Sequence, residues 1–272
     1  MSQKKVCFIG AGNMARSIIS GLINSGYAPE SITASNPSQP KLDALNKDFG
    51  IKVTNDNVGA AATADVIVLG VKPHLMQQVG EQLSGLDLST KLIITIAAGV
   101  TAKRYSDFFK QEIKLIRTMP NTPTQIGVGL TGLFAGDDIS ADNKSLCETL
   151  MATGGEVIWV DKEDDLNQVI ALAGSSPAYF FLFLESMVAS AVKGGMPEAS
   201  AREMAQQAAL GAALMAKQNP DLSLAQLREN VTSKGGTTAQ AVATFEEGNL
   251  RALVDNAMTN CIARAQEMAK QY

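Results

Sequence analysis

Short apolar runs alternate with amphipathic stretches through the first part of the chain. Residues 6–10, 31–34, 51–53, 65–71, 91–97 and 114–117 are mostly Val, Ile, Leu and similar side chains, and 129–134 and 156–160 are shorter runs of the same kind. Between them, residues 13–24, 41–49, 75–83 and 101–109 carry helical patterns. Apolar strands separated by helices are what a parallel sheet covered on both faces requires. The expected fold is therefore α/β, with an N-terminal Rossmann-like, doubly wound sheet. After Asp161 the pattern changes. Residues 163–271 have helical periodicity almost throughout, rich in Ala, Met, Leu and Gln, with stops at Gly194-Gly195 and Asn219-Pro220. The reading is a sheet domain over 1–162 and an all-helical C-terminal domain over 163–272.

Charge supports the division. Lys and Arg balance Asp and Glu up to residue 162, so the net charge of −4 lies in the helical part. That part is also Ala-rich on several helix sides, over 201–216 and 252–269. Burial against a second subunit accounts for this; a surface tolerant of alanine, a strong helix former, is the alternative. Cys7, Cys147 and Cys261 are odd in number, widely spaced and without a C-x-x-C pattern, which suits a reducing compartment. His74 is the only histidine, which argues against a His-based metal site and a Ser-His-Asp triad. No basic cluster invites nucleic acid or an anionic membrane. No apolar stretch is expected to reach the ~20 residues that span a bilayer. The opening Met1-Ser2-Gln3-Lys4-Lys5 has too short an apolar run behind it for a secretory signal. The expectation is a soluble, cytoplasmic protein.

In a doubly wound sheet, ligands bind beyond the carboxyl ends of the strands. The first such end is Ile9-Gly10-Ala11-Gly12-Asn13-Met14-Ala15, a strand, a glycine turn and a helix start. Free N–H groups at the helix N-terminus and its dipole suit a pyrophosphate. Ala15 stands at the third glycine position of the usual fingerprint and is small enough to keep helix and strand close. The second end, Ser35-Asn36-Pro37-Ser38, lacks the carboxylate that NAD-specific sites place on the ribose. This favours NADPH, with NADH possible; the same residues also suit an ordinary β-turn. Lys72 could meet a cofactor or substrate carboxylate, or simply be solvated. His74 reads as structural or cofactor-lining. Met119-Pro120-Asn121-Thr122-Pro123 reads as a stiff loop fit to hold a nicotinamide or a substrate, or as a rigid connection. Gly174-Ser175-Ser176-Pro177 interrupts a helical run, with Pro177 suited to open the next helix. Ser233-Lys234-Gly235-Gly236-Thr237-Thr238 precedes a helix over 239–247 and has the makings of a carboxylate cup.

Together these segments resemble pyrroline-5-carboxylate reductase, in the expected order and through most of the chain. The resemblance runs through the glycine turn, Val71-Lys72-Pro73, Ala97-Ala98-Gly99-Val100, Arg117–Pro123, Gly174–Tyr179 and Ser233–Thr238; Ser176 and Lys234 stand where the family often has Gly and Pro. It implies hydride transfer from NAD(P)H to C5 of the cyclic imine, giving L-proline, and an interlocked helical dimer, often assembled further. It implies cofactor contacts at Ile9, Gly10, Ala11, Gly12, Asn13, Met14, Ser35, Asn36, Asn57, Val71, Lys72, Pro73, Ala98 and Asn121. Gly235, Gly236, Thr237 and Thr238 map onto the family's substrate loop, and Thr238 is expected to bond the ring nitrogen as the catalytic residue. A protonated imine already accepts hydride well, so no metal is called for. A β-hydroxyacid-dehydrogenase-like enzyme would need a Lys early in the helical part, and residues 171–181 have none. A nucleotide-sensing module would not need the second cup.

Overall fold

The computed structural model describes residues 3–271; Met1 and Ser2, part of the opening read above as too short for a secretory signal, and Tyr272 lie outside them. Eight strands form one sheet: β1 (Val6–Ile9), β2 (Ile32–Ser35), β3 (Lys52–Thr54), β4 (Val66–Leu69), β5 (Leu92–Thr95), β6 (Lys114–Pro120), β7 (Gly129–Ala135) and β8 (Gly155–Trp159). Their order is β3-β2-β1-β4-β5-β6-β7-β8. All neighbours are parallel except β6 and β7. The antiparallel step follows from chain length. Only residues 121–128 join β6 to β7, too few for the dozen or so residues that a parallel crossover takes.

Alternation along the strands builds a core on each face. Val6 and Phe8 of β1 face one, with α1 (Asn13–Asn24), α2 (Gln39–Phe49) and α6 (Ala141–Ala152). Cys7 and Ile9 face the other, with α3 (Asn57–Thr63), α4 (Met76–Leu83) and α5 (Ala102–Phe109). The sequence pattern did not mark α3 or α6. α3 is a short Ala-rich turn capped by Asp56, and α6 has little amphipathic contrast. Met119 and Pro120, read as loop, belong to β6, where they pair with Gly132 and Thr131.

The helical part starts with a short turn at Glu163–Asp165 and α7 (Leu166–Val169), then passes through a π-helical stretch, Ile170–Gly174. α8 (Ser176–Lys193), α9 (Glu198–Gln218), α10 (Leu224–Asn230), α11 (Thr237–Glu247) and α12 (Leu250–Gln271) follow. The interruption expected at Gly174–Pro177 is thus a change of helical register, and Pro177 is the second residue of α8. Contacts divide the chain into two compact units. One runs up to Ser175 and takes in the chain from Cys261 onward; the other is Ser176–Asn260.

The second unit is short of core. α8 has no buried residue, and Phe180, Phe181 and Leu182 are each more than 60% exposed. The helical run Glu163–Lys193 is long and apolar enough to cross a membrane by length and composition, although almost none of its most apolar stretch is buried. This corrects the expectation that no stretch reaches that length. A groove of about 730 Å³ in this unit is lined by Phe181, Leu184, Val188, Val192 and Ala205, with Lys193, Glu198 and Arg202 also on its walls.

Candidate active site

The glycine turn lies where the strand order reverses, between β1 and β4. Gly10 has φ +103°, and a side chain there would come within 2.6 Å of Gly70 O. Backbone bonds hold the turn on both sides: Gly10 N–H donates to Ser35 O at 2.8 Å, and Gly70 N–H to Ile9 O at 2.8 Å. Gly12 differs. It begins α1 with no side-chain cap, and a Cβ there would find only Gly70 O at 4.0 Å. The chain's own packing therefore does not demand glycine at that position. Ala15 is 1% exposed, and its Cβ lies 3.5 Å from where a Gly70 side chain would begin. Asn13 is exposed, while Met14 packs half-buried on the core.

The end of β2 is built by side chains. Asn36 Oδ1 accepts from Ala11 N–H at 3.1 Å, fixing the glycine turn. Ser35 is fully buried and its hydroxyl donates to Asn57 Oδ1 at 2.7 Å. Asn57 Nδ2 in turn donates to Gln82 Oε1 at 2.9 Å. Ser35 and Asn57 thus spend these groups on each other and on Gln82, a partner that the sequence did not suggest. Ser38 begins α2 without a side-chain cap, which leaves that helix N-terminus open beside Asn36. No carboxylate stands among residues 34–42.

Past β4, Val71 is half-buried, Lys72 exposed, and Pro73 opens a short turn; His74 is exposed. Past β5, Ala98 is half-buried and Gly99 has φ +75°, with Met268 of α12 lying 3.0 Å from where its side chain would begin. Past β6, Asn121 is 9% exposed. Its Nδ2 donates to Ala173 O at 3.1 Å and its Oδ1 accepts from Leu130 N–H at 2.9 Å. Below these ends, Glu163 Oε1 accepts from Ala102 N–H and from Arg117 Nη1, both at 2.6 Å. That carboxylate pins the start of the helical segment to α5 and β6. Of the expected cofactor contacts, residues 9–14 and 71–73, Ser35, Asn36, Ala98 and Asn121 lie at or just past the carboxyl ends of β1, β2, β4, β5 and β6, and Asn57 begins α3.

The second cup lies in the other compact unit. Gly235 has φ +75° and open space around it, and Gly236 begins α11 with no side-chain cap. A side chain on Gly236 would come within 2.6 Å of Ser233 Oγ. Thr237 and Thr238 open the helix rather than precede it, so their N–H groups are among its free donors. Both are exposed. By contrast, Asp56, Ser140 and Ser223 cap α3, α6 and α10 with their own side chains.

Comparison with known proteins agrees with both halves. A family model described as pyrroline-5-carboxylate reductase dimerisation matches residues 163–268. A model described as NADP oxidoreductase, coenzyme F420-dependent, matches residues 5–99. A pyrroline-5-carboxylate reductase of Vibrio alginolyticus is 50% identical over 272 residues, covering 100% of both chains. The solved pyrroline-5-carboxylate reductase of Coxiella burnetii superposes with a TM-score of 0.92 at 42% identity, over 98% of this chain and 99% of that one. The pyrroline carboxylate reductase of Plasmodium falciparum, solved with NADP bound, gives 0.89 at 27% identity, over 99% of both. A glycine turn past β1, an uncapped Gly-Gly-Thr-Thr helix start and full-length similarity lead to one conclusion: the chain belongs to the pyrroline-5-carboxylate reductase family.

Proposed function

We infer that this protein reduces Δ1-pyrroline-5-carboxylate to L-proline with NAD(P)H, the last step of proline biosynthesis. Hydride adds to C5 of the C=N bond, the π pair goes to nitrogen, and the nitrogen keeps or gains a proton. The observation that carries the reading is a pair of glycine-started, uncapped helix N-termini, Gly12 of α1 and Gly236 of α11, in a chain of this family. Each suits an anion.

The residues present fit the dinucleotide: Gly12 starts α1 without a side-chain cap and a Cβ there would touch only Gly70 O at 4.0 Å, and the N–H groups of Gly12, Asn13 and Met14 would hold a pyrophosphate. When bound, the reduced nicotinamide supplies the hydride. Asn36, held on Ala11 N–H, sets the ribose end without a carboxylate to repel a 2′-phosphate, which favours NADPH and leaves NADH usable. Val71, Lys72, Pro73 and Ala98 form the walls at the ends of β4 and β5, and Asn121 stands at the end of β6.

The backbone N–H groups of Gly236, Thr237 and Thr238, opened by the turn at Gly235, bind the imine's carboxylate. Thr238 Oγ1 bonds the ring nitrogen and holds its proton, so that the positive charge on C=N persists as hydride arrives. Orientation does most of the catalytic work here. The helical part, which we read as 163–272, binds substrate and forms a homo-dimer that covers the apolar face of α8. Burying Phe180, Phe181 and Leu182 alone is worth roughly 6 kcal/mol before costs. Dimers then assemble into a larger oligomer in the cytoplasm.

Thr238→Ala tests the reading. The expected result is loss of kcat/KM for the imine by about a hundredfold, the low end for a positioned proton-transfer group, with NADPH affinity kept. Unchanged turnover would remove Thr238 from the mechanism.

A further inference from the structure

An α-helix directs the N–H of residue 177 at the carbonyl of residue 173. Here residue 177 is proline, with no N–H to give. Ala173 lies in the π-helical stretch Ile170–Gly174, a register change that often marks functional sites, and Pro177 denies its carbonyl the donor that an α register would bring. Asn121 Nδ2 supplies the missing donor at 3.1 Å. The other end of that amide accepts from Leu130 N–H at 2.9 Å, and the Asn121 carbonyl accepts from Thr124 N–H at 3.1 Å. One residue, 9% exposed, thus ties together the start of β7, the turn Thr122–Ile126 and the π stretch.

What it ties down borders the cofactor crevice. Met119 packs in one small apolar cluster with Leu166 and Val169, and Ala98 and Ala173 lie against that cluster. Ala98 is among the residues assigned above to the cofactor.

We propose that Asn121 is a positioning residue for hydride transfer: through the Ala173 carbonyl that Pro177 leaves open, it fixes the Ala98–Met119 wall against the nicotinamide end of the cofactor. Both polar atoms of its side chain are already engaged within the chain, so it acts through that wall rather than as a catalytic residue. The assignment rests on the reading of the strand ends as the dinucleotide site.

The test uses the purified full-length enzyme and four forms: wild type, Asn121→Ala, Asn121→Ala with Pro177→Ala, and Asn121→Asp. Each is measured by steady-state kinetics with the imine and by direct NADPH titration. Asn121→Ala is expected to lower kcat/KM for NADPH by about tenfold, the scale of one buried carbonyl losing its donor. Adding Pro177→Ala gives residue 177 an N–H for the Ala173 carbonyl, so the double variant is expected to recover a measurable part of that loss. A role of Asn121 that does not run through the Ala173 carbonyl would not be repaired at residue 177. Asn121→Asp keeps the shape and the acceptor for Leu130, removes the donor and sets a carboxylate oxygen against the Ala173 carbonyl; it covers the case in which Asn121→Ala does not fold, and a loss at least as large is expected. Wild-type constants in Asn121→Asp, or a loss in Asn121→Ala that Pro177→Ala leaves untouched, would overturn the proposal. A wild type that binds NADPH but never oxidises it with the imine would overturn the functional reading instead, and the NADPH titrations would still read the wall.

Discussion

Cys7 shows how a single side chain reports on the sheet. It sits in β1 with 0% exposure among Ile67, Ile93 and their neighbours. Burial pushes its thiol up from 9.0 to about 12, against a smaller opposing pull from Lys91. The unfolded chain releases this proton near pH 9 and the native protein does not, so the native state is favoured fully below pH 9 and loses ground as pH rises towards 12. Tyr105, raised by burial from 10.0 to about 12 and bonded to Thr95 Oγ1 at 2.5 Å, adds to the loss at the upper end. Burial also pushes the Cys147 thiol up. The expected outcome is an unfolding free energy, from urea titration, that falls as pH rises above 9, by about 1.4 kcal/mol per pH unit for each fully titrating thiol. The fall should be shallower in Cys7→Ala; equal slopes in the two proteins would rule out this origin. The apolar run around Cys7 made its burial legible from sequence. The pairing of Ser35 with Asn57 and Gln82 was not legible, because it depends on which helix lies over the end of β2. The sequence marked Asn121 as a site residue, but its use as a staple needed the fold. One clue lay in the sequence: a proline at 177 cannot donate to the carbonyl four residues before it in an α register.

At the scale of elements, the two candidate anion sites share one construction, a glycine in place of a capping side chain. The glycines on the way into α1 nevertheless do different jobs, and substitution separates them. Gly10→Ala would meet both a positive φ and the Gly70 carbonyl, so it is expected to lower the melting temperature and the yield of folded protein. Gly12→Ala has room; it is expected to fold with near-native stability and to raise KM for NADPH at least tenfold. A Gly12→Ala enzyme with wild-type KM would take the pyrophosphate away from this helix start. Most strands and the long helices could be read from periodicity, since each has a buried face or a continuous apolar run. The antiparallel β7 could not be, because direction depends on connection length rather than on pattern. The two threonines of the cup looked like a lead-in to α11, yet they form its first turn, as fits a helix whose cap carries no side chain to mark the start.

At the scale of the whole molecule, the two compact units differ in how they reach stability. The sheet unit has two cores of its own. The unit Ser176–Asn260 leaves Phe180, Phe181, Leu182, Met204 and Leu253 at least 60% exposed, and the dimerisation family to which 163–268 matches accounts for that apolar face. The alanine-rich helices signalled this from sequence, although the length of the apolar run through α8 was underestimated. Reaction chemistry was legible only when distant motifs were read together, since the glycine turn alone points to no more than a nucleotide and the candidate cup to no more than an anion. The account as a whole rests on hydride passing from NADPH to C5 of the imine. The most direct measurement supplies NADPH deuterated at the transferable position together with pyrroline-5-carboxylate, and analyses the product by mass spectrometry. The account predicts L-proline with one deuterium at C5 for each NADPH oxidised. NADPH oxidation without deuterated proline, or no oxidation when the imine is present, would contradict it.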